Sequence, residues 1–422
     1  MIRVTSETGR LRRVIVQPPG PALERMLPHH IDPGSPEYLL FDDLVHVPTA
    51  RREHAQLVDV LATVAEVLRF EDLLRDVLRH VEVREQLIER VSLHHELHAA
   101  QVRVLEGLDA DDLAATLLVG TPAGRLDGPE LFPPIPNLIF TRDLAAVLGD
   151  LVVVGNARKR ARQREALLAW AVADHHPLFE ENAVAEISRW IRARGGSAPL
   201  TIEGGDVLCA SSTLALVGAS ERTTWSMITQ LAAELFGHGF KSVLVVEMPK
   251  QRSSMHLDTI FTLLDDEHCA VYPKVLAPGG PDEVEVVRLR KEGRGVRVEQ
   301  IEGDLLAALA EEGLFLKPVL CGGGHPVYAE REQWTDGANY VALAPGIVVG
   351  YARNEHTGRA MVEAGFKLVT PAEYLADLSR DFHDDPEALI ESGRRYAVHI
   401  VGSELSRGRG GPRCLTLPLR RD

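Results

Sequence analysis

The sequence has 422 residues, enough for two or three ordinary domains or for one α/β body carrying an insertion. With 61 Asp plus Glu against 46 Lys plus Arg, its formal charge of -15 excludes the basic footprint that nucleic acid or an anionic membrane surface requires. The four cysteines (Cys209, Cys269, Cys321 and Cys414) lie far apart with no CxxC pair, which argues against a disulfide framework and a zinc ribbon and points to a reducing cytoplasm.

Along the chain, the N-terminal segment to Gln17 alternates charged and apolar residues and has no apolar stretch of signal-peptide length. No later run reaches membrane-spanning length. Leu11 to Gln17, LRRVIVQ, reads as a first strand. From Arg51 to Glu106 there is neither Gly nor Pro, and Leu57, Val60, Leu61, Val64, Val67 and Leu68, then Leu73, Leu74, Val77, Leu78 and Val81, recur with helical spacing. Residues 49–120 are therefore expected to form a helical bundle set into a body made of 1–48 and 121–422.

Beyond it the texture changes to β-branched runs that end in Gly, each followed by a helix-like stretch: LVVVGNAR at Leu151, LALVGASER at Leu214 and IVVGYAR at Ile347. Gly155 and Gly218 stand one period apart, and Gly350 lies two periods further on. CAVYPKV at Cys269 fills the gap, and LRRVIVQ supplies a fifth copy. Strand and helix units arranged quasi-symmetrically about an axis are the expectation, with functional residues gathered at one mouth.

Five segments concentrate chemistry-bearing residues among Gly and Pro: NLIFTRD (Asn137 to Asp143), RQRE (Arg162 to Glu165), EGGD (Glu203 to Asp206), HLDT (His256 to Thr259) and RGRGGPRC (Arg407 to Cys414). Cys414 follows a loop holding Arg407, Arg409 and Arg413, whose charge favours thiolate over thiol, so it is read as a nucleophile. The other three cysteines read as packing residues. His256 and Asp258, two apart, share one face of an extended strand. Two glycines between Glu203 and Asp206 allow close backbone approach and unusual φ. His94 and His98 in HHELH are out of register for HExxH and read as a polar helical face, while CGGGH at Cys321 reads as a structural turn.

Together, and in this order, the five segments resemble the arginine deiminase family of guanidine-modifying enzymes over nearly the whole chain. The resemblance implies an α/β fold, a pseudo-fivefold ββαβ propeller of the pentein type with an inserted α-helical bundle. It implies hydrolysis of L-arginine to L-citrulline and ammonia through a covalent thiouronium on Cys414. His256 becomes the acid and base, Glu203 its catalytic companion, and Asp143 with Asp258 the grip on the guanidinium. Asn137, Arg162 and Arg222 are implied for the α-carboxylate and α-amino end, Phe140 for the aliphatic stem, Asp206 for a supporting place in the substrate site, and Gly408 with Arg409 for a substrate-sensing gate. No metal or organic cofactor is implied, and a homo-oligomer, dimer or tetramer, is. The sequence departs from the family pattern in having Leu415 where Met usually follows the cysteine. Transfer of the amidino group to an amine is the rival reaction, and a silent arginine-binding sensor is the rival from another class.

Overall fold

The computed structural model describes residues 2–185, 200–277, 279–293 and 295–422. Among them the strands form five sheets, and one plan recurs in each. Two strands pair antiparallel, the chain then passes through helix, and a further strand lies parallel to the second of the pair. Leu417–Arg421 and Leu11–Val16 are followed by Glu66–Arg69, and Ala145–Leu148 and Leu151–Val154 by Ala183–Val184. Val207–Ser211 and Leu214–Ala219 are followed by Ser242–Glu247, Phe261–Leu263 and His268–Val271 by Lys317–Leu320, and Val341–Ala344 and Ile347–Tyr351 by Tyr396–Ile400.

The five runs singled out in the sequence supply the second strand of each pair. Leu151–Val154, Leu214–Ala219, His268–Val271 and Ile347–Tyr351 are buried at every position. A strand covered on both faces needs a continuous apolar run in place of alternation, and β-branched side chains fit it. Parallel return requires a crossover, which helices Val47–Leu61, Arg160–His175, Trp225–Gly237, Leu305–Glu311 and Glu355–Glu363 provide.

The segment 49–120 departs from the expected all-helical reading. Glu66–Arg69 is a strand, parallel to Leu11–Val16, and Arg13 Nε meets Glu66 at 2.6 Å. Val64, Val67 and Leu68 satisfy helical spacing as well as they satisfy a half-exposed edge strand, and no Gly or Pro marks the change. The helices that follow do keep their predicted stripe: Phe70, Leu73, Leu74, Val77 and Leu78 are buried on one face of Phe70–Leu78. They share one apolar core with the Ala145–Val154 hairpin and helix Arg160–His175, so the segment has no separate interior.

CGGGH is a tight turn, with Gly322, Gly323 and Gly324 at φ 65°, 61° and 75°. A Cβ on Gly322 would meet the backbone of Tyr328 and Ala329, whereas Gly239, at φ 91°, faces open space. Gly239→Ala is expected to cost about 1–2 kcal/mol from conformation alone, and Gly322→Ala at least about 1 kcal/mol more from the clash. Urea denaturation of the two variants checks the order, and equal losses would remove the steric term.

Candidate functional site

Four of the predicted residues, with one that the sequence did not reveal, stand where the chain enters the first strand of a sheet. Asp143 lies in a turn ahead of Ala145–Leu148, and Glu203 begins the Gly204–Asp206 turn ahead of Val207–Ser211. His256 begins the Leu257–Thr259 turn ahead of Phe261–Leu263, and Cys414 precedes Leu417–Arg421. Asn339, ahead of Val341–Ala344, completes the set. Equivalent positions in five similar units converge on one cluster of buried polar side chains.

His256 and Asp258 are consequently not on an extended strand. His256 is extended, but Asp258 belongs to a 3-10 turn, and a turn sends the two side chains to different partners. His256 Nε2 meets Glu203 Oε2 at 2.9 Å, and its Nδ1 faces Asp143 Oδ1 at 3.6 Å. Asp258 Oδ2 lies 3.6 Å from Cys414 Sγ. Asn339 donates from Nδ2 to that sulfur at 3.2 Å, and its Oδ1 accepts the backbone N–H groups of Arg413 and Cys414 at 3.0 and 3.1 Å. Among the described residues, Oδ1 of Asp143 and Oδ1 of Asp258 are buried acceptors without a hydrogen-bond donor.

The arginines near Cys414 do not act as the sequence suggested. Arg413 donates to Asp258 Oδ2 at 2.8 Å and to Glu7 at 3.0 and 3.1 Å. Arg407 pairs with Asp43 at the surface. Arg409 lies over the Trp334 ring at 3.7 Å. None neutralises the sulfur, whose burial and neighbours Asp258, Asp143 and Asp336 push its thiol well above the ordinary range. Burial opposes the charge of His256, yet Asp143 and Glu203 outweigh it and raise the imidazole to about 9. Glu203 is pushed up by burial too, but Arg222 and the bond from His256 hold it well below the usual carboxylate range.

Arg162 and Arg222 are buried among these acids. Arg162 reaches Asp143, Glu165 at 2.8 Å and the Asn137 carbonyl at 3.4 Å, so its donors are occupied. Arg222 holds Glu203 at 3.3 Å and touches Met255 Sδ at 3.2 Å, while its Nε is a buried donor without an acceptor. Asp206 is engaged by the protein itself. Ser220 Oγ and the Leu257 N–H occupy its two oxygens at 2.6 and 2.9 Å, which fixes the turn carrying His256. Burial lifts its carboxyl to about 6. Gly205 allows the close approach anticipated, since a Cβ there would sit 2.8 Å from His256 Nδ1, but neither Gly204 nor Gly205 has positive φ.

Asn137, Phe140, Asp143, Arg162, Arg222, His256, Gly408, Arg409 and Cys414 line one enclosed cavity of about 20 Å³, together with Leu40 and Met255, which the sequence did not suggest. Among the described residues, Asp143, Glu203 and His256 lie close enough to share a cation. Arg162 and Arg222 already neutralise those carboxylates, so the set favours hydrogen bonding over metal binding. His94 and His98 are not together: His98 caps the helix Ala99–Glu106, and it is His95 that stacks on Phe132 at 4.9 Å.

Removing one member of a buried ion network strands the others. Arg413→Met, which keeps the bulk but leaves Glu7 and Asp258 uncompensated, is expected to lose about 3–5 kcal/mol of stability. Urea denaturation measures it, and a loss below about 1 kcal/mol would show that the network does not hold the fold.

The family model described as arginine deiminase matches residues 37–117 and 121–421. An arginine deiminase of Listeria monocytogenes serotype 4a is 32% identical over 445 aligned residues, covering 100% of this chain and 98% of that protein. One of Streptococcus gordonii is 32% identical, with the same coverage. The N-terminal domain of ArgZ, solved covalently bound to a reaction intermediate, superposes with a TM-score of 0.50 at 14% identity, over 97% of this chain and 98% of that one, and shows a shared fold. Matched by the family model over most of its length and by relatives from end to end, the chain belongs to the arginine deiminase family.

Proposed function

We propose that this chain hydrolyses free L-arginine to L-citrulline and ammonia, with Cys414 as the nucleophile. The observation that carries the reading is the pair of buried, donorless oxygens on Asp143 and Asp258, the latter carboxylate beside Cys414 Sγ. A guanidinium is a planar fork of donors, and two carboxylates at fixed angles suit it. Its positive charge offsets the acids that hold Cys414 as a thiol, so bound substrate promotes loss of the thiol proton to water.

The thiolate then attacks the guanidinium carbon. His256, cationic at neutral pH, gives its proton to one amino nitrogen as the C–N bond breaks and ammonia leaves. The product is a thiouronium on Cys414. Water next loses a proton to the neutral His256 and its oxygen bonds to the same carbon; as the C–S bond breaks, the remaining hydroxyl proton passes to the sulfur, which releases citrulline and restores the Cys414 thiol. Glu203 holds Nε2 of the imidazole throughout, which leaves Nδ1, 3.6 Å from Asp143 Oδ1, as the nitrogen that gives and takes the proton. Arg222, whose Nε has no hydrogen-bond acceptor, suits the α-carboxylate, and Arg162 serves chiefly to hold Asp143.

The five sheets are read as blades of a pseudo-fivefold ββαβ propeller. Residues 49–120 carry its helical insertion, with helix Val47–Leu61 and strand Glu66–Arg69 contributing to the body of 1–48 and 121–422. A cytoplasmic homo-oligomer, dimer or tetramer, belongs to the same reading. Among the described residues no helix is long and apolar enough to cross a membrane.

Incubation with arginine, with citrulline and ammonia measured together, is expected to give equal amounts of both and none with Cys414→Ala. Ammonia without citrulline, or residual activity of Cys414→Ala within about tenfold of the native chain, would reject the reading. Because the free thiol is pushed up, iodoacetamide is expected to alkylate Cys414 at least about tenfold more slowly at pH 7.5 than it alkylates N-acetylcysteine. The rate should climb as pH rises past 9, the ordinary thiol value. Rapid alkylation at neutral pH would mean that the site stabilises thiolate by itself.

A further inference from the structure

The sheet that begins at Val207–Ser211 is longer than the plan shared by the five sheets requires. Among the described residues three of the others have three strands and one has four, whereas this one has five. Its extra members are the hairpin Val286–Glu292 and Gly295–Gln300, which pairs antiparallel with the return strand Ser242–Glu247. No residue of the hairpin lines the Cys414 cavity, and no step of the proposed reaction uses it.

Gly295–Gln300 ends the sheet, so along its outer side alternate N–H and C=O groups have no strand to bond among the described residues. Edge strands are ordinarily defended by Pro, a bulge or shortness. This one has six residues and no Pro, and its register against Val286–Glu292 runs from Gln300 to Gly295 without a shift. Val298 is 58% exposed, although Val296 on the same face packs against the core that Met227, Ile228 and Leu231 help to form. On the opposite face Glu299 meets Arg297 at 3.4 Å and Arg290 at 3.6 Å, and Arg290 in turn meets Glu312 at 3.1 Å. The edge is thus anchored from both faces while its outer side stays open.

We propose that Gly295–Gln300 pairs antiparallel with the same strand of a second copy of this chain, about a two-fold axis through Val298, so that one sheet runs through both copies. The strand reads Arg-Val-Glu about that residue. The axis therefore sets each Arg297 opposite Glu299 of the second copy, and Val298 opposite its own counterpart. An axis through Arg297 or through Glu299 would set like charges face to face. A second copy is favoured over an unrelated peptide because this order of charges is complementary to itself. The contact is isologous and closes at two chains. A short edge lies at the small end of protein interfaces, so association weakens on dilution. The inference gives the homo-oligomer of the proposed function a surface and rests on that part of the reading alone, apart from the chemistry at Cys414.

Cross-linking tests the register. Position 298 in the two copies stands with Cα atoms roughly 4.5–5.5 Å apart, within reach of a disulfide, whereas position 297 lies roughly 7–8 Å from its own counterpart, beyond that reach. The native cysteines are all buried and give little background. Diamide oxidation of Val298→Cys at micromolar concentration is expected to yield a disulfide-linked dimer, mapped by mass spectrometry to position 298 in both copies, at least about fivefold more than Arg297→Cys yields. Equal yields from the two variants, or no dimer from Val298→Cys, overturn the proposal.

Sedimentation equilibrium supplies a second measurement. Arg297→Glu sets like charges opposite each other twice and is expected to weaken association at least about tenfold, with the far-ultraviolet circular dichroism unchanged. An oligomer that this substitution leaves as it was overturns the surface and leaves the homo-oligomer to another face. A native chain that stays monomeric at every concentration overturns both.

Discussion

The Arg413 guanidinium is the interaction on which the rest of the site depends. It bonds Glu7 from the N-terminal segment, Asp258 from the His256 turn and the Val207 carbonyl from the strand after Glu203, while its own backbone is held by Asn339. A carboxylate taken wholly out of water survives as an anion only beside a cation. Arg413 supplies that cation for two acids at once and so fixes one oxygen of Asp258 while leaving the other free. Arg162 does the same for Asp143. In each case a buried arginine bonds one oxygen of a carboxylate and leaves the other without a donor. Placing the acceptors is therefore inseparable from stabilising the fold.

This division of labour explains why the charge around Cys414 is the reverse of what a loop rich in arginine suggests. None of the three arginines bonds the sulfur: Arg407 pairs with Asp43, Arg413 with Glu7 and Asp258, and Arg409 lies over the Trp334 ring. The sulfur is left among carboxylates, which keeps it protonated and unreactive until a cation arrives. On the proposed mechanism, reactivity is conditional on the ligand and so is withheld from adventitious electrophiles.

What was legible in the sequence follows from what each signal encodes. The middle strands were readable because a strand buried on both faces needs an unbroken β-branched run, and Leu151–Val154 or Ile347–Tyr351 can hardly be anything else. Glu66–Arg69 was not, since four residues with two apolar side chains fit helix and edge strand equally. The placement of Asp143, Glu203, His256, Asp258 and Cys414 came from their order and their resemblance to a family. Asn339 was missed because an Asn in a turn, two residues after a lone Gly, looks like any loop residue. Its signal lay in the repeat itself, for it stands two residues ahead of a first strand, as Asp143 does. The partners of Arg413 and Arg409 could not be read at all, because which acid a buried arginine meets is decided by folding and leaves no local pattern.

Because equivalent turns in five units each contribute to one cluster, geometric error does not average out. A register slip of one residue in any first strand would carry its polar side chain by about 3.3 Å and turn it to the opposite face. That displacement exceeds the whole length of the contact between His256 and Glu203. The site is thus a gauge of collective alignment. Loss of turnover in a mildly destabilised variant would report misalignment of a single unit well before the bulk of the strands had melted.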